Sequence, residues 1–335
     1  MATTLRDIAR LAKVSVATVS YVLNGVAKVS PQTRERVLAA MNQLNYYPNA
    51  IAKSLVKQRS HVLTLFLQDI TNPFFPAVAK AVEDVAVRAG YSVILYNTGD
   101  QEEKEAAYVQ MALEQRVAGI IFCTVRNRAA VQSALDQGTP VVIIEWPGNI
   151  PGTDVVQVDN VLGARLGTEH LIQLGHRRVA LINWVLGSVI AGDRLKGYKQ
   201  ALAAAKIPFD PALLATYDFN DPDRDAVILK LLALPDPPTA VLAVSDAIAI
   251  ATMRTLHRHH RRVPRDLSIV GYDDTLAALS TPQLTSVAQP IYQLGTTAAQ
   301  LLLDQDRKRH PRRVTLEPTL VVRDSTAERR QLRRQ

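Results

Sequence analysis

A single cysteine, Cys123, stands in a chain of 335 residues. No disulfide can form within the chain, which suits a reducing compartment. Cys123 lies in the apolar run VAGIIFC and is expected to be a buried core residue. The N-terminus carries no apolar signal core, and no apolar stretch is long enough to span a membrane. A cytoplasmic location is therefore expected. The chain has no G-x-x-x-x-G-K-[ST] and no G-x-G-x-x-G, so no phosphate cradle announces itself. No nucleophile–base pair or cofactor motif speaks for an enzyme. His257, His259 and His260 cluster among arginines but close a helix before Val263-Pro264, the pattern of a solvated helix end rather than a metal site. Asp273-Asp274 lacks the partners for acid/base work and the ligand spacing for Ca²⁺.

What is present is an ordinary globular composition, 47% hydrophobic and 21% charged. The net charge of +8 is unevenly spread. Residues 1–60 hold nine Lys/Arg against two acidic residues, and the tail from Arg307 holds ten against three. The stretch between them is net acidic. A basic head on an acidic body points to a nucleic-acid partner for the head.

The head opens with TLRDIARLAKVSVATVSYVLN, Thr4 to Asn24. Thr4 can cap a first helix, with Asp7 reaching back to its N–H. Leu5, Ile8, Ala9 and Leu11-Ala12 give that helix an apolar side. Lys13-Val14 is the turn. Ser15 caps a second helix whose Val19 and Val22 pack inward while Val16, Ala17, Ser20 and Tyr21 lean out. Two helices joined by so short a turn make a helix-turn-helix, the second sized for the DNA major groove. Ser30 and Pro31 open a third helix, with Val37, Leu38, Met41 and Leu44 on one face. NYYPNAIAKSLVKQRS then supplies a helix of about two turns, too short to be stable alone. It is an inter-domain linker, and is expected to fold on meeting DNA and a second copy of itself.

These three segments, TLRDIARLAKVSVATVSYVLN, VSPQTRERVLAAMNQLNYYPN and AIAKSLVKQRS, resemble the DNA-binding region of the lactose-repressor/galactose-repressor family, and the likeness continues through the body. The resemblance implies that the second helix enters the major groove, the hinge helix enters the minor groove, and Leu55 wedges between base pairs of a near-palindromic operator. Ser15, Thr18, Asn24 and Tyr46 suit phosphate contacts. Val16, Ala17 and Tyr21 are candidates for base edges, the first two offering at most contact with thymine methyl groups. Thr4, Ser20, Lys28, Ser30, Asn49, Ala52 and Lys53 complete the expected DNA-facing set. Many relatives carry arginine where Tyr21 stands, so the operator sequence is expected to differ.

From His61 apolar runs alternate with amphipathic stretches, VLTLFLQ to PVVIIE and VVQV, then RVALIN to LSIVGY. Such β-rich runs between helices read as parallel sheet covered on both faces, in two similar sets. Ligands bind beyond the carboxyl ends of such strands. Polar and aromatic residues fall there: Asp69, Asn72 and Phe74 after the first strand; Glu145 and Trp146; Asn183; Arg194; Phe219; Asp246; Asp273; and Gln289. Carboxylates, an arginine, amides and aromatic faces suit a small polyol. In the resembled family Arg194, Asp246 and Asp273 match ligand-gripping positions; Asp246 could equally cap its own helix.

The expected fold class is α/β: an N-terminal three-helix helix-turn-helix domain plus hinge helix, followed by a two-subdomain periplasmic-binding-protein-like α/β body. The expected division is a DNA-binding domain over 1–47, a hinge over 48–60, and an effector and dimerisation domain over 61–326. One subdomain spans 61–159 and 290–318, the other 160–289 and 319–326; a disordered basic tail follows over 327–335. The expected function is a homodimeric, sugar-controlled transcriptional regulator on the nucleoid, with no cofactor or metal. A nucleoside, purine or other metabolite acting as co-repressor is the alternative. A free solute-binding protein is disfavoured by the basic head.

Overall fold

The computed structural model describes residues 3–23, 29–46, 60–145, 148, 150–184, 189–219, 221–304 and 311–329. It divides into two units, Met1–Ser60 and His61–Gln335.

In the first unit, α1 (Leu5–Ala12) begins with the reciprocal cap expected from its sequence. Thr4 Oγ1 accepts the Asp7 N–H at 3.4 Å, and Asp7 Oδ2 accepts the Thr4 N–H at 3.0 Å. Lys13 closes α1 in the left-handed region at φ 54°. Ser15 opens α2 (Val16–Leu23) by accepting the Thr18 N–H at 3.1 Å. Ser30 does the same for α3 (Pro31–Gln43), through the Thr33 N–H at 3.3 Å. Ile8, Ala12, Val19, Val22, Val37 and Met41 close a small core, with Leu5, Leu44 and Tyr46 at its margin. Leu11 and Leu38, expected on the apolar faces, are 42% and 46% exposed. Ala12 and Val37 take the inward positions beside them.

The second unit holds two six-stranded sheets. The first contains β1 (Val62–Leu67), β2 (Ser92–Asn97), β3 (Gly119–Phe122), β4 (Val141–Ile144), β5 (Asp154–Val158) and β11 (Arg313–Leu316), in the order β11-β5-β4-β3-β1-β2. The second contains β6 (Val179–Asn183), β7 (Leu214–Thr216), β8 (Ala240–Ala243), β9 (Ser268–Asp273), β10 (Thr285–Ala288) and β12 (Thr319–Val321), in the order β12-β10-β9-β8-β6-β7. Only the β10–β12 pair is antiparallel among the described pairings. β3, β4, β8 and β9 are buried along their whole length, which is why their sequences read as unbroken apolar runs.

Helices α4 (Phe74–Arg88), α5 (Glu102–Glu114), α6 (Arg128–Asp136) and α11 (Ile291–Leu303) accompany the first sheet. α7 (Asn160–Gln173), α8 (Val189–Ala204), α9 (Ala226–Leu232) and α10 (Asp246–Arg258) accompany the second. Ahead of α4, Asn72 Oδ1 accepts the Phe74 N–H at 3.1 Å, a tight turn two residues long; Asp159 caps α7, its Oδ1 accepting the Leu162 N–H at 2.8 Å. The chain passes between the sheets three times: after β5, after β10, and between β11 and β12.

Residues 327–329 belong to the ordered body rather than to a free tail. The Ala327 N–H donates to Ser268 Oγ at 3.1 Å, and the Arg329 N–H donates to Leu174 O at 2.8 Å. Cys123 is 1% exposed, in the first sheet's core, and burial pushes its thiol pKa up. Among the described residues no helix is long and apolar enough to cross a membrane, and no group of His, Cys, Asp and Glu could hold a metal ion.

Candidate functional site

In the basic head, α2 turns one side into the core and leaves the other exposed. Val19 and Val22 are buried, whereas Val16 and Tyr21 are 41% and 50% exposed and Ala17 is exposed. Thr4, Ser15 and Ser30 spend their hydroxyls on helix caps, and Ser15 Oγ also lies 2.9 Å from Thr18 Oγ1. Ser20 is half-buried on α2, and Tyr46 is half-buried against the three-helix core. Asn24, Lys28, Asn49, Ala52, Lys53 and Leu55 lie outside the described residues.

In the body, the carboxyl ends of β4, β6, β9 and β10 bring together a buried polar cluster. Arg194 of α8 is 2% exposed. Its Nε donates to Asn160 Oδ1 at 2.9 Å and its Nη1 donates to the Val244 carbonyl. The guanidinium lies 3.6 Å from the Tyr272 ring centroid and 4.8 Å from that of Trp184, so aromatic faces supply part of the solvation it gives up. Asn160 Nδ2 in turn donates to Glu145 Oε2 at 2.7 Å, and Glu145 Oε1 accepts the Val158 N–H. Glu145 follows β4 in the left-handed region, at φ 56°.

Asp273 ends β9 at φ 98°, 6% exposed, and accepts from Gln289 Nε2 at 2.7 Å. Burial pushes its carboxyl pKa up to about 7, against the pull of Arg194. Glu145 is raised for the same reason, against hydrogen bonds from Asn160 and Val158. Gln289 Oε1 is buried with no hydrogen-bond partner, an acceptor left for a donor from outside. Gln289 also lines a groove of about 610 Å³, together with Pro73, Ala77, Asp274, Thr275 and Ile291.

The other expected ligand residues are placed differently. Asp246 is 1% exposed, and both of its oxygens are committed. Oδ1 accepts from Ser286 Oγ at 2.6 Å, and Oδ2 accepts the Thr275 and Leu276 N–H groups at 2.8 and 3.1 Å. It ties the loop after β9 to α10, while Ser245 caps that helix. Asn183 is fully buried, holding the Ala191 carbonyl and the Trp184 N–H. Asp69 closes a tight turn onto Thr71. Phe74 packs in the first sheet's core, edge-on to Phe75. Phe219 is 50% exposed and meets Tyr217 edge-on. Trp146 lies outside the described residues. Sequence reasoning missed Asn160. An Asn after Asp159 reads as an ordinary first-turn residue, and nothing local shows that Arg194 rests on it.

The cluster offers two buried carboxylates, one largely committed guanidinium and an orphan amide oxygen. It is acceptor-rich, suited to a ligand that brings hydroxyl or N–H donors.

A family model for bacterial regulatory proteins of the lacI family matches residues 4–49, and one for the periplasmic binding protein-like domain matches residues 168–326. The chain is 38% identical to the ribose operon repressor of Halalkalibacterium halodurans, over 97% of each protein. It is 34% identical to the transcriptional repressor PurR of Aliivibrio fischeri, over 97% of this chain and 99% of that one. Among solved structures, the lac repressor dimer bound to operator and the anti-inducer ONPF is similar with a TM-score of 0.86 and 30% identity, covering 98% of this chain and 100% of that chain. The complex of the transcriptional regulator CelR with cellobiose is similar with a TM-score of 0.72 and 33% identity, covering 96% and 99%.

Proposed function

This chain belongs to the lacI family of bacterial regulatory proteins, and from that premise we propose that it represses a carbohydrate-use operon under the control of a small sugar-like effector. It is a DNA-binding transcriptional regulator, not an enzyme. The observation that carries the sugar reading is the acceptor-rich cluster of Glu145, Asn160, Arg194, Asp273 and Gln289 at the strand ends. A polyol's hydroxyls would satisfy Gln289 Oε1 and the Asp273 carboxylate. Full-length likeness to a ribose operon repressor supports the same class. Asn183 and Asp246 position the backbone beside these groups through their internal hydrogen bonds.

The head, 1–47, grips operator DNA through α2, with Val16, Ala17 and Tyr21 toward base edges and Ser15, Thr18 and Tyr46 toward phosphates. The segment 48–60 acts as the hinge, with Leu55 as a wedge. The protein works in the cytoplasm, on the nucleoid, as a homodimer, since a near-palindromic operator calls for two heads. The ligand shifts operator affinity only by its differential binding to the two states of the body.

A second reading, a purine co-repressor, is favoured by the PurR relatives. A thermal-shift panel on the full chain with D-ribose, hexoses, cellobiose, hypoxanthine and guanine separates the two. A ligand at about 100 times its Kd stabilises by about 2.7 kcal/mol, a readily measured rise in Tm. A rise with a sugar, abolished by Arg194→Ala, is the expected outcome. A rise with a purine alone transfers the assignment to the second reading, and no rise with any sugar ends the first.

A further inference from the structure

The two halves of the polar cluster belong to different sheets, and they do not meet directly. Glu145 directly follows a strand of the first sheet, while Arg194 lies on a helix of the second. Between them stands one carboxamide. Asn160, 5% exposed, is the first residue after the first passage between sheets. Its Nδ2 donates to Glu145 Oε2 at 2.7 Å; its Oδ1 accepts from Arg194 Nε at 2.9 Å and from Tyr272 Oη at 3.3 Å. An amide suits this place because one end donates and the other accepts. The two neighbours demand that polarity: a carboxylate on one side, a guanidinium and a phenol on the other.

Close approaches built from glycine bring these groups within reach. A Cβ at Gly163, one turn along α7 from Asn160, would stand 2.1 Å from Tyr272 Oη. A Cβ at Gly197, one turn along α8 from Arg194, would stand 2.1 Å from the Val161 carbonyl. Without these two hydrogens in place of methyl groups, neither Tyr272 nor Arg194 could close on the Asn160 oxygen.

We propose that Asn160 is a positioning residue that relays the state of Arg194, in one sheet's unit, to Glu145 in the other, so that ligand held at Arg194 moves the passage between them. This deepens the sugar-effector reading and rests on it only for its second test.

The first test needs no ligand. In the full chain labelled with ¹⁵N-arginine, the Arg194 Nε–H signal is identified by its loss in Arg194→Lys. Glu145→Gln should shift that signal, and should shift it far less when Asn160→Ala has removed the amide. An equal shift in both backgrounds, or none in either, overturns the relay. The second test reads the ratio of operator Kd with and without D-ribose. Allosteric ratios are about 5–150-fold; Asn160→Asp, which keeps the acceptor for Arg194 but cannot donate to Glu145, should bring the ratio close to one. The exchange Asn160→Asp with Glu145→Gln keeps the net charge and reverses the donor, so it should restore the ratio. A wild-type ratio retained by Asn160→Asp alone, or a folded exchange variant that stays silent, overturns the relay. If the wild type ignores D-ribose while the arginine signal behaves as expected, ribose fails as the effector and the relay stands.

Discussion

Asp273 is one of the residues that set the pH behaviour of the body. Its carboxyl has a folded pKa of about 7, raised from 3.8 by burial, with Asp246 and Glu145 adding to the rise. The folded chain therefore holds this proton more tightly than the unfolded chain. The associated stability is complete below the unfolded pKa and is lost as pH rises through about 7. From about pH 5 to pH 7.5 the Tm of the ligand-free protein should fall relative to that of Asp273→Asn. The difference is the readout, because His170 and His176, whose pKa values burial lowers, pull the absolute Tm the other way. A hydroxyl donated to Asp273 favours its charged form, so ligand binding near pH 6 should release a proton, seen as a dependence of calorimetric heat on buffer ionisation enthalpy. In the proposed contact with DNA, Tyr21 bears on specificity rather than grip. It is exposed on α2, and a phenol reads bases less selectively than a guanidinium bidentate to guanine. Tyr21→Arg should change the consensus recovered in a binding-site selection, and recovery of the same consensus would remove Tyr21 from the base-reading set.

At the scale of elements, caps carry the head. α1 and α2 have eight residues each, too few to persist without caps and packing. Ser15→Ala removes the acceptor for the Thr18 N–H and should cost about 1 kcal/mol. Because the head has its own small core, the loss should appear as weaker operator binding with the body's melting unchanged. The caps of α1, α2 and α3 were legible in the sequence, since Thr4, Ser15 and Ser30 need only partners three residues away. Helix faces were less legible. Leu11 and Leu38 satisfy the apolar spacing yet stay exposed, because spacing does not tell which side the neighbouring helix takes. Asn160 was illegible for a related reason. Its partners Glu145, Arg194 and Tyr272 lie 15, 34 and 112 residues away, and only tight packing at Gly163 and Gly197 brings them together. Asp246, by contrast, was conspicuous in sequence and is spent on an internal tie.

For the whole molecule, the uneven charge sets how DNA is held. If the two heads contact about 6–10 phosphates, operator affinity should drop by about 10³–10⁵ between 50 and 200 mM salt, with little change in ligand affinity. A salt-insensitive operator complex would contradict the basic-head assignment. The alternation of strands and helices was readable because parallel strands buried on both faces leave unbroken apolar runs. The order of strands within each sheet was not, since it depends on crossovers that leave no local mark.

The threefold threading of the backbone between the sheets has a further consequence. β11 and β12 are adjacent in sequence but complete opposite edges, one in each sheet. Neither half is a contiguous stretch of gene, so a stop codon before residue 311 strips both halves at once, and no single cut liberates either as an independent module.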